Sequence, residues 1–199
     1  LSSLLRAFVV QVFWIPSQTM HDTLVEDDRI AVSRVSAWTG DIHRGDVVVF
    51  NDSLGWLPTV QSGGAGGVLR DVGEFIGFLP ADGEQTLVKR VIGVGGDHVT
   101  CCTAAGRIEV NGVAIDEPYL APGQAPSTIP FDVVVPEGHL WVMGDNRGNS
   151  SDSRYHMTDG QTPFVSLDDV VGRAMWVIWP VSHWSSLGGR EVFDKVPEP

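Results

Sequence analysis

The chain has 199 residues, 43% hydrophobic and 19% charged, which suits one packed domain with a small insertion and excludes a disordered chain. Its 25 acidic residues against 13 basic ones give a formal charge of -12, and no local basic patch offsets it, so a phosphate backbone is a poor default partner. The two cysteines, Cys101 and Cys102, are adjacent, which excludes a disulfide framework and zinc-type spacing; they are read as small packed groups, with a vicinal disulfide as the alternative.

Leu1 stands where an initiator Met is expected, and Ala7 to Ile15 is apolar except for Gln11. No run reaches the ~18 apolar residues of a membrane-spanning helix. The segment reads first as a buried strand, and alternatively as the remnant of a transmembrane anchor cut away upstream. Beyond Pro16, β-branched runs alternate with turn signals, the pattern of an all-β fold. Strands are predicted over Arg29 to Val35, Asp46 to Phe50, Thr86 to Val94, His98 to Cys102, Arg107 to Val110, His139 to Met143 and Arg173 to Trp179. Asn111-Gly112 lies between Ile108-Glu109-Val110 and Val113-Ala114-Ile115 and predicts a hairpin, since both central residues tolerate positive φ. The Gly-rich stretch 62–67 reads as a linker, leading into a short amphipathic helix over residues 68–79 that packs on the core or dips into a membrane interface.

Three segments carry chemistry. Gly144 through Arg154 gathers aspartates, arginines and serines in one loop, the composition of a buried polar network in which Asp152 and Arg154 could pair, or of a solvated turn. Lys89 and Arg90 interrupt an otherwise apolar strand, and alternation sends them to opposite faces. A lysine desolvated there loses its charge and can act as a general base; on a sheet edge it would snorkel to water instead. Ser17 and Thr19, beside Pro16 and Met20, are hydroxyls that a neutral lysine could activate, or turn and capping residues.

Taken together, these segments resemble the bacterial type I signal peptidases, membrane-anchored Ser/Lys-dyad peptidases. The likeness rests on Pro16-Ser17-Gln18-Thr19-Met20 with Thr23-Leu24, on Lys89-Arg90-Val91-Ile92-Gly93 with Gly96-Asp97, and on Gly144-Asp145-Asn146-Arg147 through Asp152-Ser153-Arg154, with weaker support from Asn111-Gly112, Glu117-Pro118-Tyr119 and Gly172-Arg173-Ala174. The resemblance implies a curved antiparallel catalytic core over residues 16–97 and 138–185, a small β insertion at 98–137, a membrane-proximal segment at 1–15 and a tail at 186–199. It implies removal of signal peptides from exported preproteins on the outer face of the cytoplasmic membrane, against the lipid surface, without a cofactor. It makes Lys89 the general base and Thr19 the occupant of the nucleophile position. Ser17, with the backbone N–H of residue 19, would hold the oxyanion; Ser150 would orient the lysine, and Asp152 and Arg154 would support it. Phe13, Ile15, Met20, Leu24, Ile30, Leu87 and Val88 would line pockets for small side chains before the cut.

Thr19 departs from the family's serine. Its extra methyl restricts χ1 and crowds the attack, which predicts weak or absent cleavage. A catalytically silent module that binds signal peptides is the alternative. A self-cleaving Ser/Lys repressor would need a DNA-binding helix-turn-helix, and no such pattern is present. The six histidines, at 21, 43, 98, 139, 156 and 183, lack metal-ligand spacing. Gly93 to Gly96 runs on into a strand rather than a helix, which removes a phosphate cradle. His156 and the tryptophans at 176, 179 and 184 read as structural or interfacial.

Overall fold

The computed structural model describes residues 9–15, 17–56, 86–158, 160 and 162–199. The expected linker at 62–67 and helix at 68–79 lie outside the described residues. Two antiparallel sheets account for the β structure. The larger is built from β1 (Val10–Trp14), β2 (Arg29–Ser33), β3 (Val47–Asn51), β4 (Thr86–Val94), β9 (His139–Met143), β10 (Val165–Ser166) and β11 (Val170–Trp179), in the spatial order β1-β2-β11-β3-β4-β9-β10. A short β12 (Ser185–Ser186) adds to β11. The smaller sheet runs β7-β6-β5-β8, from β5 (His98–Cys101), β6 (Ile108–Val110), β7 (Val113–Ala114) and β8 (Phe131–Val134).

The central strands follow from their side chains. Val47-Val48-Val49-Phe50 is buried on both faces because β3 lies between β11 and β4 with packed layers on either side. One layer joins Val48 and Phe50 to Leu87, Val91, Leu140 and Val142; the other joins Val47 and Val49 to Ile15, Met20, Leu24 and Ile30. Strands β4 and β9 have the boundaries their sequence predicts, and Asn111-Gly112 turns between β6 and β7 with φ of 50° and 80°.

Other expectations shift. The first strand is half-buried at the edge of the sheet rather than fully buried. The run expected as strand to Val35 stops at Ser33, and Val35–Thr39 is a short helix ended by Gly40 at φ 70°. Cys101 and Cys102 form a vicinal disulfide, and only Cys101 enters the core.

Candidate active site

The turn holding Ser17 and Thr19 joins β1 to β2 and packs against the loop that follows β9. Met20 is buried, and it anchors the turn through its carbonyl, which accepts from the N–H groups of Thr23 and Leu24 at 3.0 and 2.7 Å. The loop after β9 grips the same turn at four points. The Asn146 backbone N–H donates to the Thr19 carbonyl (3.0 Å), and its side-chain amide donates to the Gln18 carbonyl (3.0 Å). The Asp145 N–H points at the Met20 sulfur (3.3 Å), and the Thr23 hydroxyl donates to Asp145 Oδ2 (2.5 Å). These bonds fix the backbone of residue 19, while its side chain stays partly exposed with its Oγ1 3.4 Å from Ser17 Oγ.

Gly144 explains how the two segments come so close. A Cβ there would overlap both the Ser150 hydroxyl and the Thr19 carbonyl, so only glycine lets these groups share one side of the chain. Ser150 is thereby brought against the turn that carries Thr19.

Lys89 is fully buried on β4, opposite Val48 of β3. Burial pushes its amine down to about 8; Asp152 and Asp145 oppose that shift, and Arg154 adds to it. Neither Lys89 Nζ nor Ser150 Oγ has a hydrogen-bond partner among the described residues. Asp152 in turn is held by Arg154, whose Nε and Nη2 donate to its two oxygens at 2.8 Å each, and it accepts from the Gly144 N–H at 3.0 Å. The expected Asp152–Arg154 pair is therefore present and buried.

Arg90, next to Lys89, points elsewhere. Its Nε and Nη2 form a bidentate pair with Asp145 (2.9 and 2.7 Å), and Nη1 donates to the Gly45 and Gly188 carbonyls. Its guanidinium lies 3.9 Å from the centre of the Tyr119 ring. Asp145 thus ties β4 to the Thr23 turn.

Of the side chains expected around the substrate, Ile15, Met20, Leu24 and Ile30 form one buried cluster with Phe13 and Val88 at its half-buried margin. Leu87 does not join them. It neighbours Val88 on the strand, and with side chains alternating it packs with Val48, Phe50 and Val91 in the opposite layer. His156 stacks on Trp56 with ring centroids 4.4 Å apart, a packing role.

Three residues, two of them named from the sequence only as parts of motifs, have partners that the sequence did not indicate. Asn146 holds the Thr19 turn. Glu117 forms a buried ion pair with Arg147. Gln124, oriented to satisfy its amide, donates to the Asp145 carbonyl (3.1 Å) and accepts from the N–H groups of Arg147 (3.0 Å) and Gly148 (3.2 Å). The signal for the first was the density of the loop itself; the other two reach it from the β6–β8 region, at sequence distances that no local pattern reveals.

A family model described as signal peptidase, peptidase S26, matches residues 1–179. The chain belongs to the signal peptidase S26 family. It is 37% identical to a probable signal peptidase I of Mycobacterium leprae, over 91% of this chain and 72% of that one. It is 40% identical to signal peptidase I of Mycobacterium tuberculosis strain CDC 1551, over 89% and 67%. To signal peptidase I U of Bacillus subtilis it is 31% identical, over 88% and 79%. Membership in the S26 family accords with the antiparallel β core and with a fully buried lysine on it.

Proposed function

We propose that this chain removes signal peptides from exported preproteins, using Lys89 as general base and the Thr19 hydroxyl as nucleophile. The observation that carries the reading is Lys89 itself: a fully buried amine without a hydrogen-bond partner among the described residues, its pKa lowered to about 8 by burial, within electrostatic reach of Asp145, Asp152 and Arg154 of the loop that carries Ser150. An amine so placed is neutral in an appreciable fraction near neutral pH and can take a proton.

In the reaction, neutral Lys89 takes the proton of Thr19 Oγ1 as that oxygen attacks the scissile carbonyl. The Ser17 hydroxyl and the backbone N–H of residue 19 stabilise the oxyanion, and Ser150 orients the lysine. The lysine ammonium then gives its proton to the leaving amine, and water, deprotonated by the same lysine, releases the acyl group from Thr19. Phe13, Ile15, Met20, Leu24, Ile30 and Val88 form shallow pockets that admit small side chains before the cut and exclude water from the amine. Asp152 and Arg154 hold the loop that carries Ser150.

The substrate side chains are presented at a lipid surface. Exposed indoles support this: Trp14 and Trp179 flank Arg29 across β1, β2 and β11, and Trp176 and Trp184 lie at the same end of the sheet. Such amphipathic rings favour the headgroup region of a bilayer, here the outer face of the cytoplasmic membrane.

Cleavage of a preprotein should be measured for the parent chain, Thr19→Ser and Lys89→Ala across pH. The expected result is a slow parent, a faster serine form and an inactive alanine form, with the rate rising through a pKa near 8. Cleavage that persists in Lys89→Ala overturns the mechanism. Binding of the signal peptide with no fragments from either hydroxyl form supports the silent binding module instead.

A further inference from the structure

A cleft of about 430 Å³ opens beside the Thr19 turn. Its walls include Asp22 and Thr23 from that turn, Arg90 and Tyr119 from behind it, and Leu187 and Glu191 from the segment after β12. None of the residues assigned to the pockets before the cut lines it. We propose that this cleft receives the stretch of substrate after the scissile bond and favours a basic side chain there; the proposal rests on the peptidase reading above.

Reach sets the position. Thr23 lies one turn beyond Thr19, and the Leu24 N–H bonded to the Met20 carbonyl makes that turn helical. One helical turn advances about 6 Å, which an extended chain covers in about two residues. A peptide leaving Thr19 therefore enters the cleft at about its second to fourth residue after the cut. Two directions lead away from a nucleophile along an extended substrate, and the apolar pockets already take the other one.

Charge sets the preference. Arg90 brings no free positive charge, because its guanidinium is buried and neutralised by Asp145, with Nη1 bound to backbone carbonyls. Arg190, next to Glu191, is likewise paired with Asp46. The exposed charges of the cleft are the carboxylates of Asp22 and Glu191. Glu191 Oε2 accepts from the Gly189 N–H, and Asp22 Oδ1 lies 3.6 Å from His21 Nδ1. Apolar and aromatic walls at Leu187, Pro118 and Tyr119 suit the aliphatic stem of a lysine, and the carboxylates suit its head.

The test separates this site from the chemistry. Peptides spanning the cut, with Lys or Glu at each position from five before to five after it, are bound to the full chain carrying Thr19→Ala, which cannot acylate. The expected result is a Lys-over-Glu preference of about fivefold at the second to fourth positions after the cut, the scale of one or two exposed charge pairs, shrinking as salt rises. In the same chain carrying also Asp22→Asn and Glu191→Gln, the ratio should fall to about one at those positions. Asparagine accepts the φ of 81° at residue 22, and glutamine keeps an acceptor for Gly189, so both substitutions preserve the fold. An equal preference for lysine on both sides of the cut overturns the proposal, since a chain of net charge -12 attracts any cation. A preference that survives the double substitution overturns it as well. Absence of cleavage by the parent and by Thr19→Ser would remove the peptidase reading, while the affinity ratio would still decide the cleft.

Discussion

Lys89 and Arg90 are consecutive residues on one strand, both buried, and their surroundings are opposite. Around Arg90 the protein supplies a bidentate carboxylate, two carbonyls and an aromatic face. Around Lys89 it supplies apolar contacts, carboxylates that act only at a distance, and no hydrogen bond among the described residues. A buried cation that serves structure is saturated with partners, because leaving it short costs several kcal/mol. One left short is chemically useful, since it sheds its proton readily.

That contrast can be broken most directly at Lys89. Lys89→Ala is expected to lower preprotein cleavage by on the order of a thousandfold, the scale of a lost general base, without loss of fold by circular dichroism. Asp145→Asn is the complementary test: it strands the Arg90 guanidinium and should cost about 3 to 5 kcal/mol in denaturant unfolding. If that variant unfolds no more easily than the parent, the Arg90 region is not the structural half of the pair.

The pH dependence of stability sharpens the comparison. The folded pKa of Lys89, about 8, lies below its ordinary value of 10.5, so between these values the unfolded chain binds more protons than the native one. Stability contributed by this group therefore rises as pH goes from about 8 to 10.5, and the penalty is full below 8. Lys89→Met should stabilise the protein at neutral pH by roughly 3 kcal/mol, the advantage fading above the unfolded pKa. A constant difference across that window would mean the amine is already solvated.

Smaller effects test the turn that carries Thr19. Thr19→Ser should raise kcat by about tenfold by freeing χ1, and equal rates would place the bottleneck elsewhere. Asn146→Ala removes one hydrogen bond to the Gln18 carbonyl and should lower kcat several-fold, on the scale of about 1 kcal/mol, with KM little changed.

The strands that form the sheet centre were legible because alternation and β-branched runs mark them; Thr86–Val94 and His139–Met143 kept their predicted ends. The short strands Phe131–Val134, Val165–Ser166 and Ser185–Ser186 were missed, since two to four residues carry too little periodicity to register. The helix Val35–Thr39 hid behind β-branched Val35, although Gly40 marked its end. In the site, the resemblance supplied Thr19, Lys89 and Ser150 as candidates, and the structure adds the burial of Lys89 and Ser150. Leu87 packs with Val48 and Val91 in the other apolar layer from Val88, and by alternation that is the face of β4 that also carries Lys89, opposite Val48. What no local pattern shows is partner choice: that Arg90 takes Asp145, and that Arg44 takes Asp97, depends on strands meeting far along the chain.

Arg44 is also a buried arginine. Its guanidinium clasps Asp97 at the joint between the two sheets and also donates to the Pro197 carbonyl, which the Asn111 amide reaches from the hairpin. Phe193 and Val196 sit in the apolar layer beneath the smaller sheet. Residues 193–197 therefore act as a latch, and a protease nick there would loosen both sheets together, making this short stretch a poor place to attach a fusion partner.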